Sequence, residues 1–546
     1  MQRMTAAEAV VATLTAHGID TVYGVPGVHN DPLFDALYKA RNQVRMLHAR
    51  HEQTGAYMAL GAALATGRPQ VFTAVPGPGV LNSSAALLTA WGMEAPVLAL
   101  CGQIPAHAID RGYGHLHEIP DQLGLLRHVT KHAARITGPH EASARTANAI
   151  CLALSNRRRP VALECAIDVW NQSGPVHLVG PIPPVVPPVD EDAVDRIARL
   201  LAASERPVIF VGGGVQDATA ELRELAELLE APVVSYRRGR GVLPTTHRLA
   251  FPLPVGRRLW ETADLAFGVG TRLYLPLSQW GLDAGIKVVR LDVDPEEPGR
   301  FHMPDASMVA DAAAGLRALI ERLPAYLGQR PSREEELSGH RTWLAERLSR
   351  LEPQTGFLGA MRAALPPDGI LVDEVTQMGF AARMAWEVER PRLFFSGYQD
   401  NLGYGYGTAL GAAAACPGRA VLSIAGDGGF GYQAFELATA KRHNLPVVVV
   451  VFDDGHFGNV KRIQQNQWGG REIANDLHNP DFVRFAESFG VPAFRATDAA
   501  ELQARLIEAF ALGGPALVHV PVGEMPSIWD MILMPPARGT TRPLMP

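Results

Sequence analysis

The sequence predicts an α/β protein of three domains, each a doubly wound and mainly parallel sheet. Three observations carry that expectation. At 546 residues the chain has room for three or four cores of roughly 150 residues each. Short β-branched runs alternate with helical stretches of about a dozen residues along most of its length, the rhythm of parallel strands joined by right-handed crossovers. Two stretches break the rhythm: a proline-rich one at 175–190, and the polar, helical SREEELSGHRTWLAERLSRLEP at 332–353.

Taken in order, the first twenty residues carry Glu8 and several threonines where a secretory leader would be unbroken and apolar, so they read as an amphipathic first helix. Strands are expected near Val22, at Val44–Leu47, Val71–Ala74, Val97–Leu100 and Val161–Cys165, filling an N-terminal domain over 1–175. A linker at 176–189 leads to a central domain over 190–325, which opens on the strand Arg206–Gly212 and ends after Val288–Val293. A second linker, 326–349, precedes a C-terminal domain over 350–535 and a tail at 536–546. Strands there are expected at Ile370–Val372, Val421–Ala425, Val447–Phe452 and Ala516–Val520. The outer thirds are alike in size and rhythm, with no visible sequence repeat.

Composition narrows the function. Lys plus Arg is 50 against 56 Asp plus Glu, a net charge of −6, and there is no long basic run, so neither nucleic acid nor an anionic membrane is an expected partner. The apolar run Leu445–Phe452 is too short for the ~18 residues that span a bilayer and reads as a buried strand. Cys101, Cys151, Cys165 and Cys416 stand far apart, which signals neither a zinc site nor a disulfide framework and suits a reduced cytoplasm.

The strongest local feature is AVLSIAGDGGFGYQAFELATAKRHNLPVVVVVFDDGHFGNV, 420–460. A strand ends at Ala425, Gly426–Asp427–Gly428 turns tightly, a helix follows over roughly Gln433–Arg442, and a second strand ends before Asp453–Asp454–Gly455. If the two strands are neighbours, a right-handed crossover places Asp427 and Asp454 in one crevice at their carboxyl ends. Carboxylates with backbone carbonyls suit Mg²⁺, and the glycines with the helix start behind them suit a diphosphate.

This unit resembles the thiamine-diphosphate motif, and the resemblance extends over most of the chain to the acetolactate synthase-like branch. It implies that the three domains are the pyrimidine-binding, central and diphosphate-binding domains of the thiamine-diphosphate fold, with thiamine diphosphate and Mg²⁺ as cofactors. The metal roles fall on Asp427, Asp454 and the backbone of His456, where Asp454 replaces the usual asparagine. Gly426, Gly428, Gly429 and Gly458 belong to the same cradle. QDNLGYGYGTALGA, 399–412, resembles the stretch beneath the thiazolium; it places Asn401 at the cofactor and Leu402 at the bulky apolar position that holds it bent. Val372–Gln377, with Thr376 and Gln377, sits where the family's first diphosphate loop lies.

In HARHEQTGAYMALGAALATGRPQV, 48–71, Glu52 follows a strand, opens a helix and resembles the family's activating glutamate. That role is catalytic: a carboxyl at the aminopyrimidine nitrogen assists removal of the proton from C2 of the thiazolium. Val25–Pro26–Gly27 resembles the loop beside it, and Pro76–Gly77 with Asn82 the turn beside the pyrimidine. His29, Gln103, Leu116 and His117 fall on segments that border the substrate. The family joins its two half-sites across chains, which implies a homodimer or homotetramer.

Departures from the branch bear on the substrate. Pro276 stands where acetolactate synthases carry the arginine that receives the second keto acid's carboxylate, and Asn459 and Ile463 replace the Met and Trp that select the acceptor. The reaction expected is therefore cleavage or formation of a C–C bond on a 2-keto compound, by decarboxylation or diketone cleavage, with the acyl fragment released or passed to an aldehyde, ketone or keto acid. A genuine acetolactate synthase is the alternative. A nucleotide-dependent oxidoreductase is suggested by Val211–Asp217 but lacks the third glycine of its fingerprint. Only about sixteen residues, His247–Thr262, stand where flavin-binding relatives carry a long segment, so flavin (FAD) is not expected; Arg237, Arg238 and Arg240 leave ADP open, or else form a solvated face.

Overall fold

The computed structural model describes residues 2–539, so 540–546 of the expected tail lie outside the described residues. Three six-stranded sheets, every pairing within them parallel, follow one another along the chain. Across the first sheet the strands run Arg45–His48, Thr21–Gly24, Gln70–Ala74, Val97–Gln103, Val161–Ala166, His132–Ile136. Across the third they run Phe394–Phe395, Ile370–Val372, Val421–Gly426, Val447–Asp453, Ala516–Pro521, Ala493–Arg495. Numbered within each domain, both read 2-1-3-4-6-5, so the likeness of the outer thirds is one of topology.

The central sheet differs. Its strands Ala250–Pro252, Val233–Ser235, Pro207–Val211, Leu265–Val269, Lys287–Asp292 and Ala306–Val309 lie in the order 3-2-1-4-5-6 of dinucleotide-binding folds. The short segment His247–Thr262 supplies this sheet's edge strand and the helix Leu253–Thr262.

Of the strands not expected from the sequence, Val233–Ser235 and Leu265–Val269 are buried inside the central sheet, and five others are sheet edges. Phe394–Phe395 has two residues, Ala250–Pro252 and Ala493–Arg495 three, and His132–Ile136 and Ala306–Val309 are only partly buried. Too short or too mixed for a two-residue period, they leave no pattern. A further correction concerns Gln433–Arg442: helix begins already at Asp427–Gly431, breaks, and resumes as a 3₁₀ turn Ala434–Glu436 and an α-helix Leu437–Arg442.

The outer domains meet through the helices Glu52–Thr66 and Gly405–Ala415. A methyl at Gly61 would stand 1.9 Å from the Thr408 carbonyl, and one at Gly411 1.9 Å from that of Met58, so only glycine allows this approach. At the other end of the first domain, Gln2–Thr5 pairs antiparallel with Ser173–Val176 and closes the domain on itself.

Candidate active site

The first half-site is built where the strands Thr21–Gly24 and Gln70–Ala74 end side by side. The loops they release, Val25–Pro26–Gly27 and Val75–Pro76–Gly77, touch: a methyl at Gly27 would stand 2.4 Å from Val75 Cγ1. Gly77 needs its left-handed φ of +60° and its bare Cα, since a methyl there would meet the His117 carbonyl at 2.4 Å. Glu52 is the first residue of its helix, and its Oε2 accepts a hydrogen bond from Asn82 Nδ2 at 3.0 Å. The two residues before it are held from the C-terminal domain: Glu436 accepts the backbone N–H groups of Arg50 and His51, each at 3.1 Å.

Toward the expected substrate side, His29 and His117 stack with centroids 5.1 Å apart, and the Nδ1 of each is buried without a partner. Burial and the neighbouring His117 hold His29 below the usual imidazole range, so it is neutral at neutral pH. Leu116 is exposed. Gly102 backs onto His29, while the amide of the next residue, Gln103, donates to Glu164 at 3.3 Å and accepts from the Ile104 N–H at 2.8 Å. Gln122, which no motif announces, holds the Gly77 N–H at 3.0 Å and also bonds Gly102 and Glu164.

The second half-site lies at the ends of Val421–Gly426 and Val447–Asp453, paired so that Gly426 faces Phe452. Three carboxylates converge there. Asn479 Nδ2 donates to Asp427 at 2.7 Å and to Asp453 at 2.8 Å, and the Gly455 N–H bridges the same two at 3.1 Å each. Asp454 accepts the His456 N–H at 3.0 Å. Burial, then the charges of Asp454 and Asp453, push Asp427 up to about 6, and burial raises Asp454. Such crowding opposes ionisation and is relieved by a cation. Among the described residues no set of three or more His, Cys, Asp or Glu side chains forms a metal cage. The crowded carboxylates suit instead a hard ion that takes further oxygen ligands from elsewhere, as Mg²⁺ does.

Thr376 reaches this turn, since a methyl at Gly426 would stand 2.8 Å from its Cγ2, and it caps the helix Gln377–Ala385 by accepting the Gly379 N–H at 2.8 Å. Gln377 Oε1 accepts from Arg462 at 2.9 Å. Gly428 and Gly429 back onto Phe457 and Glu374, and Gly458 onto Asp454. The Asn401 amide is engaged with the N-terminal domain, bonding the Tyr57 hydroxyl and accepting from Thr89 at 2.9 Å. Asn459 Oδ1 accepts from Trp529 at 3.0 Å, whereas Ile463 is 39% exposed on the same helix. Pro276 is buried in Tyr274–Gln279. Among the described residues no hydrogen bond joins Glu52 or Asn82 to Asp427 or Asp454.

A cavity of about 470 Å³ lies at the switch point of the central sheet, between Gly212–Gly214 and Gly270–Arg272. The three arginines expected to offer charge there, or to face solvent, do neither as a group. Arg240 is buried and donates to the carbonyls of Arg383 and Trp386, while Arg237 pairs with Asp400 at 2.5 Å. Both pin the central domain to the C-terminal one; Arg237 also lines the cavity, as does Arg238, pushed down to about 10 by burial, with Arg157, Arg158, Arg272, Arg383 and Arg392 around them.

Three family models match the chain, one for each sheet-bearing domain. The model of the thiamine pyrophosphate enzyme N-terminal TPP binding domain matches 4–125, that of the central domain 194–319, and that of the C-terminal TPP binding domain 374–520. A probable acetolactate synthase large subunit of Methanocaldococcus jannaschii is 33% identical over 95% of this chain and 92% of its own. A probable 2-ketoarginine decarboxylase AruI of Pseudomonas aeruginosa is 30% identical over 95% and 94%. The acetolactate synthase large subunit of Corynebacterium glutamicum is 30% identical over 97% and 89%.

Proposed function

The chain belongs to the thiamine pyrophosphate enzymes, and from that premise we propose that it is a thiamine-diphosphate- and Mg²⁺-dependent lyase or carboligase acting on 2-keto compounds. The observation that carries the reading is the convergence of Asp427 and Asp454 beside the glycine turn. In this reading their carboxylates and the His456 carbonyl hold Mg²⁺, and Thr376, Gln377 and the backbone of Gly426, Gly428 and Gly429 receive the diphosphate. Thiamine diphosphate, when bound, supplies a carbon that adds to the substrate carbonyl and takes up the electron pair of the C–C bond that breaks.

The chain's own residues do the rest. Glu52 shares a proton with the aminopyrimidine nitrogen, and Asn82 holds that carboxyl in place at 3.0 Å. Neutral His29, stacked on His117, offers the substrate a polar wall without a fixed charge. The acceptor side lacks a cation at Pro276 and presents the aliphatic Ile463, which favours a neutral aldehyde or ketone over a second keto acid. Acetolactate synthesis stays as the second reading because two of the relatives above carry that name; the 2-ketoarginine decarboxylase favours simple decarboxylation.

Two chains joining their half-sites, as homodimer or homotetramer, are part of the proposal. It is supported by the exposure of Val28 (50%), Leu81 (46%) and Leu116 (65%) around the Glu52 half-site. No helix among the described residues is long and apolar enough to cross a membrane, and a cytoplasmic setting is proposed from the unpaired cysteines. The central cavity has no step in the reaction; an ADP moiety suits its glycine turn and the arginines that line it, Arg238 and Arg272 among them. A screen of the purified protein with thiamine diphosphate and Mg²⁺ against 2-keto acids and diketones, with and without aldehydes, tests the reading: turnover of none would reject it.

A further inference from the structure

Glu374 is a carboxyl with no cation of its own. It is 1% exposed, and Arg383, the guanidinium held by its neighbour Asp373 at 2.9 Å, has Asp400 at 2.9 Å as its other partner. What Glu374 does hold is backbone. Its Oε1 accepts the Gly403 N–H at 3.2 Å and its Oε2 accepts the Gly405 N–H at 3.1 Å, so its two oxygens grip the N–H groups of the two glycines that flank Tyr404. Space is kept for it: a methyl at Gly405 would stand 3.0 Å from Oε2, and one at Gly429 3.1 Å from Cγ. Burial, with Asp373 alongside, pushes this carboxyl up to about 8. Placing an unpaired acid here is costly, and a carboxamide or an apolar side chain would fill the same volume without that cost.

The gripped segment carries Leu402. Its other fastenings lie on either side: Asp400 to Arg237 and Arg383, Asn401 to Tyr57 and Thr89, and the Tyr404 hydroxyl to Asp373. The peptide that leaves Leu402 enters Gly403, whose φ is +78°, and its N–H is the one that Glu374 takes. On the proposed function, Leu402 is the side chain against which the cofactor bends, and Glu374 begins the loop that leads to Thr376 at the diphosphate end.

We propose that Glu374 is a positioning residue for the cofactor, its carboxyl fixing Leu402 against the bend by holding the Gly403 and Gly405 N–H groups. Glu374→Gln presents an amide N–H to one of those N–H groups and releases half of the grip. This inference rests on the cofactor assignment, and the test separates the two.

Apo-protein is titrated calorimetrically, with Mg²⁺ present, by thiamine diphosphate and separately by inorganic pyrophosphate, which occupies the diphosphate end alone. Glu374→Gln is expected to weaken thiamine diphosphate at least tenfold and pyrophosphate less than twofold, and to change the near-ultraviolet dichroism of the bound cofactor. In a Leu402→Ala background it is expected to cause no further loss, because its effect passes through that side chain. Equal loss of both ligands, or losses that multiply in the double variant, would overturn the proposal. Should Glu374→Gln fail to fold, Glu374→Asp, which withdraws the oxygens by one carbon, is held to the same pattern. If the unsubstituted protein binds pyrophosphate but not thiamine diphosphate, the cofactor reading falls first and takes this inference with it.

Discussion

Asn82 donates its side-chain N–H to Glu52 Oε2 at 3.0 Å, joining the first turn of one helix to the first turn and a half of the next. The bond aims one carboxylate oxygen along a fixed direction, and the other has no hydrogen bond among the described residues. Glu436 steadies the approach by taking the two N–H groups before Glu52. The acid is thus set by both outer domains of one chain.

Glu52→Gln should leave the fold intact and slow exchange of the C2 proton of bound cofactor by about 10²–10⁴, the usual worth of a general acid–base group. Hydrogen–deuterium exchange at C2 reads this directly. An unchanged rate would remove Glu52 from proton transfer.

Asp427→Ala should weaken Mg²⁺-dependent binding of thiamine diphosphate about a hundredfold or more, whereas Asp454→Asn should keep it. Asparagine returns the same carbonyl oxygen and lowers the repulsion that raises Asp427. Calorimetric titration with metal present decides the matter, and loss of binding in the Asn variant would mean that the second negative charge is needed.

The parts of this site that were legible in the sequence are those that sit at strand ends in local motifs: Asp427 and Asp454 across one crossover, Glu52 after its strand, Gly77 in its turn. Glu436 was not, because its partners Arg50 and His51 lie 386 and 385 residues away and offer only backbone N–H groups, which no motif records. Asn479 and Glu374 escape for the same reason. Arg237 and Arg240 show the converse: a run of like charge reads as a phosphate patch or a wet surface, yet both are interdomain pins because distant carbonyls and Asp400 happen to face them. The three-domain α/β plan was plain from rhythm, and the two- and three-residue edge strands Phe394–Phe395, Ala250–Pro252 and Ala493–Arg495 were hidden by their brevity.

If, as proposed, the acceptor side lacks the arginine that Pro276 replaces and carries Ile463, condensation onto 2-ketobutyrate should be no better than onto a neutral aldehyde or ketone. Product ratios from mixed acceptors with an accepted donor measure this. A strong preference for the keto acid would restore acetolactate synthesis as the main reaction.

Asp292, 7% exposed at the central cavity, is pushed up to about 6 by burial, with the charges of Glu94 and Glu297 adding and Arg157 opposing. Its folded value lies above the unfolded one, so the folded state holds the proton longer and stability falls as pH rises from about 4 to about 6, then stays lowered. Asp292→Asn should therefore raise stability at pH 7.5 by on the order of 1–3 kcal/mol and change little at pH 4. Thermal or urea unfolding at the two pH values checks it, and an equal gain at both would show that the charge is not the cause.

The central claim is that thiamine diphosphate and Mg²⁺ suffice for C–C chemistry on a 2-keto substrate. Its most direct test is reconstitution: protein stripped with chelator is supplied with thiamine diphosphate, Mg²⁺, flavin and nicotinamide nucleotide, singly and together, and release of CO₂ or aldehyde from a panel of 2-keto acids and diketones is followed. The account predicts a colourless protein whose turnover returns with thiamine diphosphate plus Mg²⁺ and gains nothing from the redox cofactors. Turnover that follows flavin or nicotinamide, or that returns without thiamine diphosphate, would contradict it.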